Sequence, residues 1–233
     1  LTADGEEKTQ KEMLRELLLS FHEFEQLADY CKDVGIQFLS TPFDIESINF
    51  LDDVQKIWKI PSEEITNYPY LVEIAKTKKK IFLSTGMCTL DEIQQALDVL
   101  FDNGGSDITL LHCTTDYPAP IEDVNLNAMI TLRDKFGLPV GYSDHTKGIE
   151  ISVAAVAMGA TVIEKHFTLD RNMLGPDHKA SLEPDELKLL VSSIRNIEKA
   201  KGSYEKKPTE TEICNRSVAR KSIVAARDIK KGE

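Results

Sequence analysis

The sequence has no CxxC pair: its four cysteines, Cys31, Cys88, Cys113 and Cys214, stand far apart. That spacing argues against a zinc ribbon or a disulfide framework, and the thiols are expected to be reduced and mostly buried. No GxGxxG follows the first strand-like run, and no GxxxxGK precedes a Ser or Thr. Neither a dinucleotide-binding turn nor a P-loop is therefore indicated. No stretch approaches the run of about 20 apolar residues that crosses a bilayer. The opening LTADGEEKTQKE is too polar for a secretory signal, so a cytoplasmic protein with no membrane partner is expected. Basic residues are also short. With 28 Lys and Arg against 39 Asp and Glu, the formal charge is −11, and no basic run is left to bind a phosphate backbone. Nucleic acid is not an expected partner, and an anionic substrate would have to be attracted by local charge.

What is present suits a soluble enzyme: 233 residues, 41% apolar and 29% charged, enough for one large core and a fragment of a second domain. Apolar positions at near-helical spacing from about residue 11 to 34, broken at Ser20 and stopped by Gly35, predict one helix or two. Six short apolar runs follow, at 36–44, 54–62, 80–86, 107–115, 138–144 and 161–168. Each reads as a strand buried on both faces and each is followed by a helical pattern: 45–53, 68–76, 90–103 capped by Thr89, 127–136, 149–158 and 183–199. Alternation of this kind predicts a parallel α/β fold.

Almost every run ends in polar or reactive side chains: Ser40 and Thr41, Lys59 and Ser62, Ser84 and Thr85, His112 to Thr115, Ser143 to His145, Lys165 and His166. In a (β/α)8 TIM barrel these ends converge on one mouth, whereas an open sheet would string them along a line. The barrel is the expected fold, apparently lacking its first two strand–helix units. Residues 1–200 are expected to form this partial barrel and 201–214 a charged linker. Residues 215–233, with the β-like run RKSIVAA, are expected to open another domain and stop short of completing it.

His145 and His166 end adjacent strands, where two neutral imidazoles could share a divalent ion or could simply be polar groups satisfied at strand ends. Lys59, Lys165, Ser62, Ser84, Ser143 and Thr41 could surround a phosphate and a carboxylate. A lysine inside the apolar run IWKIP needs a partner, while Lys165 could equally pair with Glu164 or point outward. Glu64 is a candidate acid/base or sugar-hydroxyl acceptor, or an ordinary loop glutamate. Tyr117, in TTDYPAP, could stack on a sugar. Asp177 and His178 lie in the loop GPDHKASLEP, expected to hang over the mouth. His112 reads as a packed strand histidine and His22 as a surface one.

The ordered series FLSTPFD, KIPSEEITNYPYL, IFLSTGM, LLHCTTDYPAP, GYSDHT, IEKHFT and GPDHKASLEP resembles the sialic acid synthase family, which includes N-acetylneuraminate and legionaminate synthases. The tail NRSVARKSIVAARDIKKGE is similar to the opening of the antifreeze-like (SAF) domain that follows the barrel in that family. The resemblance implies condensation of phosphoenolpyruvate with an N-acylated mannosamine-type sugar to give a nonulosonic acid and phosphate. It implies that His145 and His166 bind a divalent metal, usually Mn2+ with Mg2+ or Co2+ as alternatives. It also implies that Thr41, Lys59, Ser62, Ser84 and Ser143 hold phosphoenolpyruvate, that Glu64 shuttles a proton or contacts the sugar, and that Tyr117 and Asp177 touch the sugar. A homodimer exchanging its terminal domains is implied as well.

The chain departs from the family pattern at several points. Ser62-Glu63-Glu64 stands where Ser-Gly-Glu is frequent, and Thr115 stands where an asparagine commonly makes a phosphate contact. A metal-facing glutamate and a phosphate-binding lysine of the first two family strands are absent from the sequence, as is the sugar-site arginine that a partner's antifreeze-like domain supplies. The chain is accordingly expected to be inactive alone. Pseudaminate synthase, a deoxy-sugar-acid phosphate synthase and a non-catalytic sugar-binding barrel are the alternative readings.

Overall fold

In a computed structural model, the described residues are Glu12, Arg15, 17–175 and 177–233. The part of the expected first helix that falls on residues 11, 13, 14 and 16 lies outside them. Residues up to Ala200 form one compact unit and Lys201–Glu233 a second. In the first unit, helix α1 spans Phe21–Val34. It begins at Ser20 because the Ser20 hydroxyl and the Glu23 carboxylate cap each other's backbone, and it ends at Gly35, whose φ of +77° admits the left-handed turn. Helix α2 covers Ile45–Val54. Thereafter strands and helices alternate: β1 Ile57–Ile60, α3 Tyr68–Lys76, β2 Lys80–Ser84, α4 Leu90–Asp102, β3 Ile108–Cys113, α5 Asn127–Phe136, β4 Val140–Asp144, α6 Glu150–Ala157, β5 Ile163–Lys165 and α7 Pro184–Lys201. Thr89 caps α4 through a reciprocal box with Glu92, as its position before the apolar pattern predicts.

The sheet is parallel throughout and runs β1-β2-β3-β4-β5 in sequence order. Successive residues along each strand alternate between its two faces, and residues in register share a face. One face carries Trp58, Ile60, Ile81, Leu83, Ile108, Leu110, Val140 and Tyr142, all buried in the core beneath the helices. Each large apolar side chain removed from water there contributes about 1.5–3 kcal/mol. The other face carries Lys59, Ser84, Cys113, Ser143 and Glu164.

Curvature is shown by one contact between the two edges. The Lys59 Nζ of β1 lies 3.4 Å from the Glu164 Oε2 of β5. Four strand spacings in a flat sheet amount to about 19 Å, beyond the combined reach of the two side chains. The sheet is therefore curled around this face into part of a barrel wall. Gly141 marks how tight the concave side is. A Cβ there would lie 2.6 Å from both Leu111 Cδ2 and the Val162 carbonyl oxygen. Gly141→Ala is expected to cost about 1–3 kcal/mol by overpacking, read as a lower urea midpoint; an unchanged midpoint would show that the wall has slack.

Two expectations are corrected. Among the described residues five strands form, not six: residues 36–44 form no strand and pair with none. Side chains hold this segment instead. Ser40 N donates to the buried Gln55 Oε1 at 2.8 Å, and the Tyr70 hydroxyl donates to the Pro42 carbonyl at 2.9 Å. In the second unit, helix α8 spans Glu210–Ala219, capped by Thr209 and Glu212. The run RKSIVAA forms no strand; all its residues are exposed, so neither a ladder nor an apolar face is at hand to fix it.

Candidate active site

The concave face opens into a cavity of about 400 Å³ at the carboxyl ends of the strands. Of the residues singled out from the sequence, Thr41, Lys59, Ser62, Ser84, Thr115, Tyr117, Ser143, His145, Lys165 and His166 all line it. Glu63, Cys113 and Glu164 line it as well. A larger cavity of about 780 Å³, between α4 and α5, shares only Cys113 and Thr115 with it and holds none of the cations or paired imidazoles. The smaller cavity is therefore the candidate site. His112 lines the larger one, where its Nε2 lies 2.7 Å from the Val124 carbonyl oxygen. Burial lowers its pKa, so it reads as a packed strand histidine.

The floor combines a cation with hydroxyl groups. Lys59 is 7% exposed, with Glu164 as its ion-pair partner. Glu164 also accepts from the Ser143 hydroxyl at 2.6 Å. The Ser62 hydroxyl accepts from Gly86 N at 2.9 Å and lies 3.3 Å from Cys113 Sγ. Gly86 is required at that point, since a Cβ would sit 2.4 Å from Thr115 Oγ1 and 2.8 Å from Cys113 Sγ. Ser84 is 2% exposed, and its hydroxyl has no hydrogen-bond partner. A buried polar atom left unpaired costs about 1–3 kcal/mol. It lines this cavity, so the hydroxyl is free to bond a group that enters there.

The rim carries three rings. Tyr117 lies 4.2 Å from His145 and 5.5 Å from His166, and the two imidazole centroids are 5.5 Å apart. His145 Nδ1 is 2.8 Å from the Thr114 carbonyl oxygen, which can only accept. Nδ1 therefore carries the proton and Nε2 keeps its lone pair, with the Ser143 hydroxyl oxygen 3.5 Å away. Burial holds the His145 pKa below its ordinary value, outweighing the raising effect of the Thr114 bond, so the ring is neutral at pH 7. Burial also pushes the Tyr117 hydroxyl up to about 12, helped by Cys113 and the carboxylates of Glu63, Asp177 and Glu164, so it remains a donor.

These donors fit a divalent first-row ion. A nitrogen–metal bond is about 2.1 Å, so two rings with centroids 5.5 Å apart can reach one ion. Among the described residues, no group of three or more His, Cys, Asp or Glu side chains is arranged to hold a metal. His145 and His166 are the residues of this cavity that could contribute imidazole donors to such an ion.

Two sequence-derived residues fall elsewhere. Glu64 does not line the cavity: the turn at Ser62–Glu64 rotates it away, and its carboxylate accepts from Asn67 Nδ2 at 2.6 Å. The neighbouring Glu63 faces the cavity instead. Asp177 stands behind the rim, with Oδ2 3.8 Å from His166 Nδ1. Sequence reasoning also left the partner of Lys165 open. Its Nζ pairs with Asp144 Oδ2 at 2.9 Å, neither with Glu164 nor with solvent.

A profile of the NeuB family matches residues 1–206. The chain belongs to the NeuB family, the family of sialic acid synthases. It is 57% identical over 236 aligned positions, all of this chain and 71% of the relative, to the N,N'-diacetyllegionaminic acid synthase of Campylobacter jejuni. It is 51% identical to the protein of the same name from Legionella pneumophila, over 97% of this chain and 65% of that one. The chain thus spans about two thirds of the length of these curated relatives. Among solved structures, an N-acetylneuraminic acid synthetase from Leptospira borgpetersenii, in complex with citrate, superposes with a TM-score of 0.84 at 36% identity. That match covers 94% of this chain and 78% of the other, so the curled parallel α/β fold is shared with that structure. Among the described residues, no helix is long and apolar enough to cross a membrane.

Proposed function

We propose that this chain forms the reaction barrel of a synthase that condenses phosphoenolpyruvate with an N-acylated amino sugar, giving a nonulosonic acid and phosphate. The observation that carries this reading is the shared cavity: a buried lysine, a partnerless buried serine hydroxyl and two imidazoles face one space. Lys59, Ser62, Ser84 and Ser143 supply the point charge and donors that a phosphate and a carboxylate need, with Thr41 and Thr115 at the margin. His145 and His166 would hold a divalent ion, Mn2+ by preference. When bound, the ion supplies the Lewis acidity that polarises the aldehyde of the open-chain sugar. The methylene carbon of phosphoenolpyruvate attacks that aldehyde, water adds at the carbon bearing the phosphate, and phosphate leaves by carbon–oxygen cleavage. Tyr117, neutral and half-exposed at the rim, is placed to stack on the sugar or donate to it, and Asp177 orients His166 from behind. Glu63, rather than Glu64, is the loop carboxylate available to the sugar.

The relatives named for N,N'-diacetyllegionaminic acid favour a sugar carrying two acetamido groups. We extend the proposal to residues 215–233 as the opening of an antifreeze-like domain, and to a homodimer that exchanges such domains. The test is phosphate release from phosphoenolpyruvate by the full-length protein, with a panel of mono- and diacetamido sugars and with or without chelator. Release is expected only with metal and fastest with a diacetamido mannose-type sugar. Fastest turnover with a pseudaminic-type sugar, or with a simple sugar phosphate, would reassign the substrate, and no release with any sugar would leave a binding barrel.

A further inference from the structure

We propose that the buried Asp144–Lys165 ion pair is a positioning device that sets the spacing of His145 and His166 and thereby the affinity of the site for its divalent ion. The inference rests on the reading of those two histidines as the metal-binding pair. Asp144 precedes His145 and Lys165 precedes His166, and the two are in register as partners on β4 and β5. Their side chains are 0% and 4% exposed, and Lys165 Nζ lies 2.9 Å from Asp144 Oδ2. The same Nζ donates to the Thr146 carbonyl at 2.7 Å, so both neighbours of His145 are fastened to the residue before His166.

Asp144 is bonded on every side. Its Oδ1 accepts from the backbone N–H of Thr146 at 2.9 Å and from the Thr146 hydroxyl at 2.7 Å, and its Oδ2 accepts from the Ser152 hydroxyl of α6 at 2.5 Å. The network thus joins the loop that carries His145 to the strand that carries His166, and anchors both to a helix.

Stability alone is a poor account of such a pair. A buried ion pair does no better on average than well-packed apolar residues of similar volume, because both charges must be stripped of water. Fixing the register of two elements is the better-attested role. Here the elements are those whose ends carry the imidazoles, and groups that orient metal ligands from behind are worth about 10–100-fold in metal affinity. Asp144 and Lys165 act through the histidines and are positioning residues.

Binding of Mn2+ alone to the full-length protein, followed by the electron paramagnetic resonance of the free ion, tests this. The variants are His145→Ala, the charge-free pair Asp144→Asn with Lys165→Met, and Ser152→Ala. Midpoints of thermal unfolding in chelator separate loss of fold from loss of metal. The double variant, which leaves no charge stranded, is expected to unfold near the wild-type temperature yet bind Mn2+ about 10–100-fold more weakly. Ser152→Ala is expected to weaken binding by a smaller factor, and provides the test if the double variant does not fold. Wild-type affinity in a folded double variant, or in Ser152→Ala where the double variant fails, overturns the positioning role while leaving the histidine site standing, as does a raised KM for phosphoenolpyruvate with unchanged Mn2+ affinity. Equal Mn2+ binding by wild type and His145→Ala overturns the histidine site itself, and this inference with it.

Discussion

Replacing His145 with alanine in the full-length protein is expected to reduce phosphate release from phosphoenolpyruvate by about a thousandfold while leaving the fold in place. The structural cost is small: the main loss is the bond from Nδ1 to the Thr114 carbonyl, worth about 1 kcal/mol. The backbone bond from Ala119 N to the His145 carbonyl persists, because no side-chain atom takes part in it. The functional cost is large because one of the two imidazoles proposed to hold the ion disappears from the cavity. Losing metal-borne charge stabilisation of about 4 kcal/mol corresponds to about three orders of magnitude in rate. Near-normal turnover in a folded His145→Ala protein would remove the histidine pair from the mechanism.

Asp144→Ala is expected to show the reverse balance, with a destabilisation of about 3–5 kcal/mol. The substitution leaves the Lys165 ammonium buried with only the Thr146 carbonyl as an acceptor, and strands the hydroxyl groups of Thr146 and Ser152 that now bond the carboxylate. One buried charge without its counter-ion accounts for most of that cost. Chemical denaturation is the measurement, and removing both charges together should recover most of the loss. If Asp144→Ala costs less than about 1 kcal/mol, water reaches Lys165 and the network is not the sealed unit that its burial indicates.

Much of this architecture was legible because strands and helices write their period into the chain. The runs KIFLS, ITLLHC and VGYSD are short, apolar and followed by helical patterns, and all three became adjacent parallel strands. FLSTPFD has the same composition but pairs with no strand among the described residues, since composition cannot supply a hydrogen-bonding neighbour. Reactive groups at successive strand ends predicted a common mouth, and ten of the side chains singled out line one cavity. Glu64 went elsewhere because one residue of rotation in a tight turn exchanges which carboxylate faces inward. Lys165 could not be paired from sequence, since alternation along β5 places it on the face of Asp144 and opposite to Glu164.

The residue order by itself determined that this is a parallel α/β protein whose lysine, hydroxyl and imidazole groups gather at strand ends, because side-chain periodicity is a local property of the backbone. Only the tertiary structure decided that the two edges of the sheet approach until Lys59 meets Glu164, and that Lys165 is bound to Asp144 and not to solvent. Those outcomes depend on sheet curvature and on the competition among buried charges for partners, which are settled by groups distant along the chain.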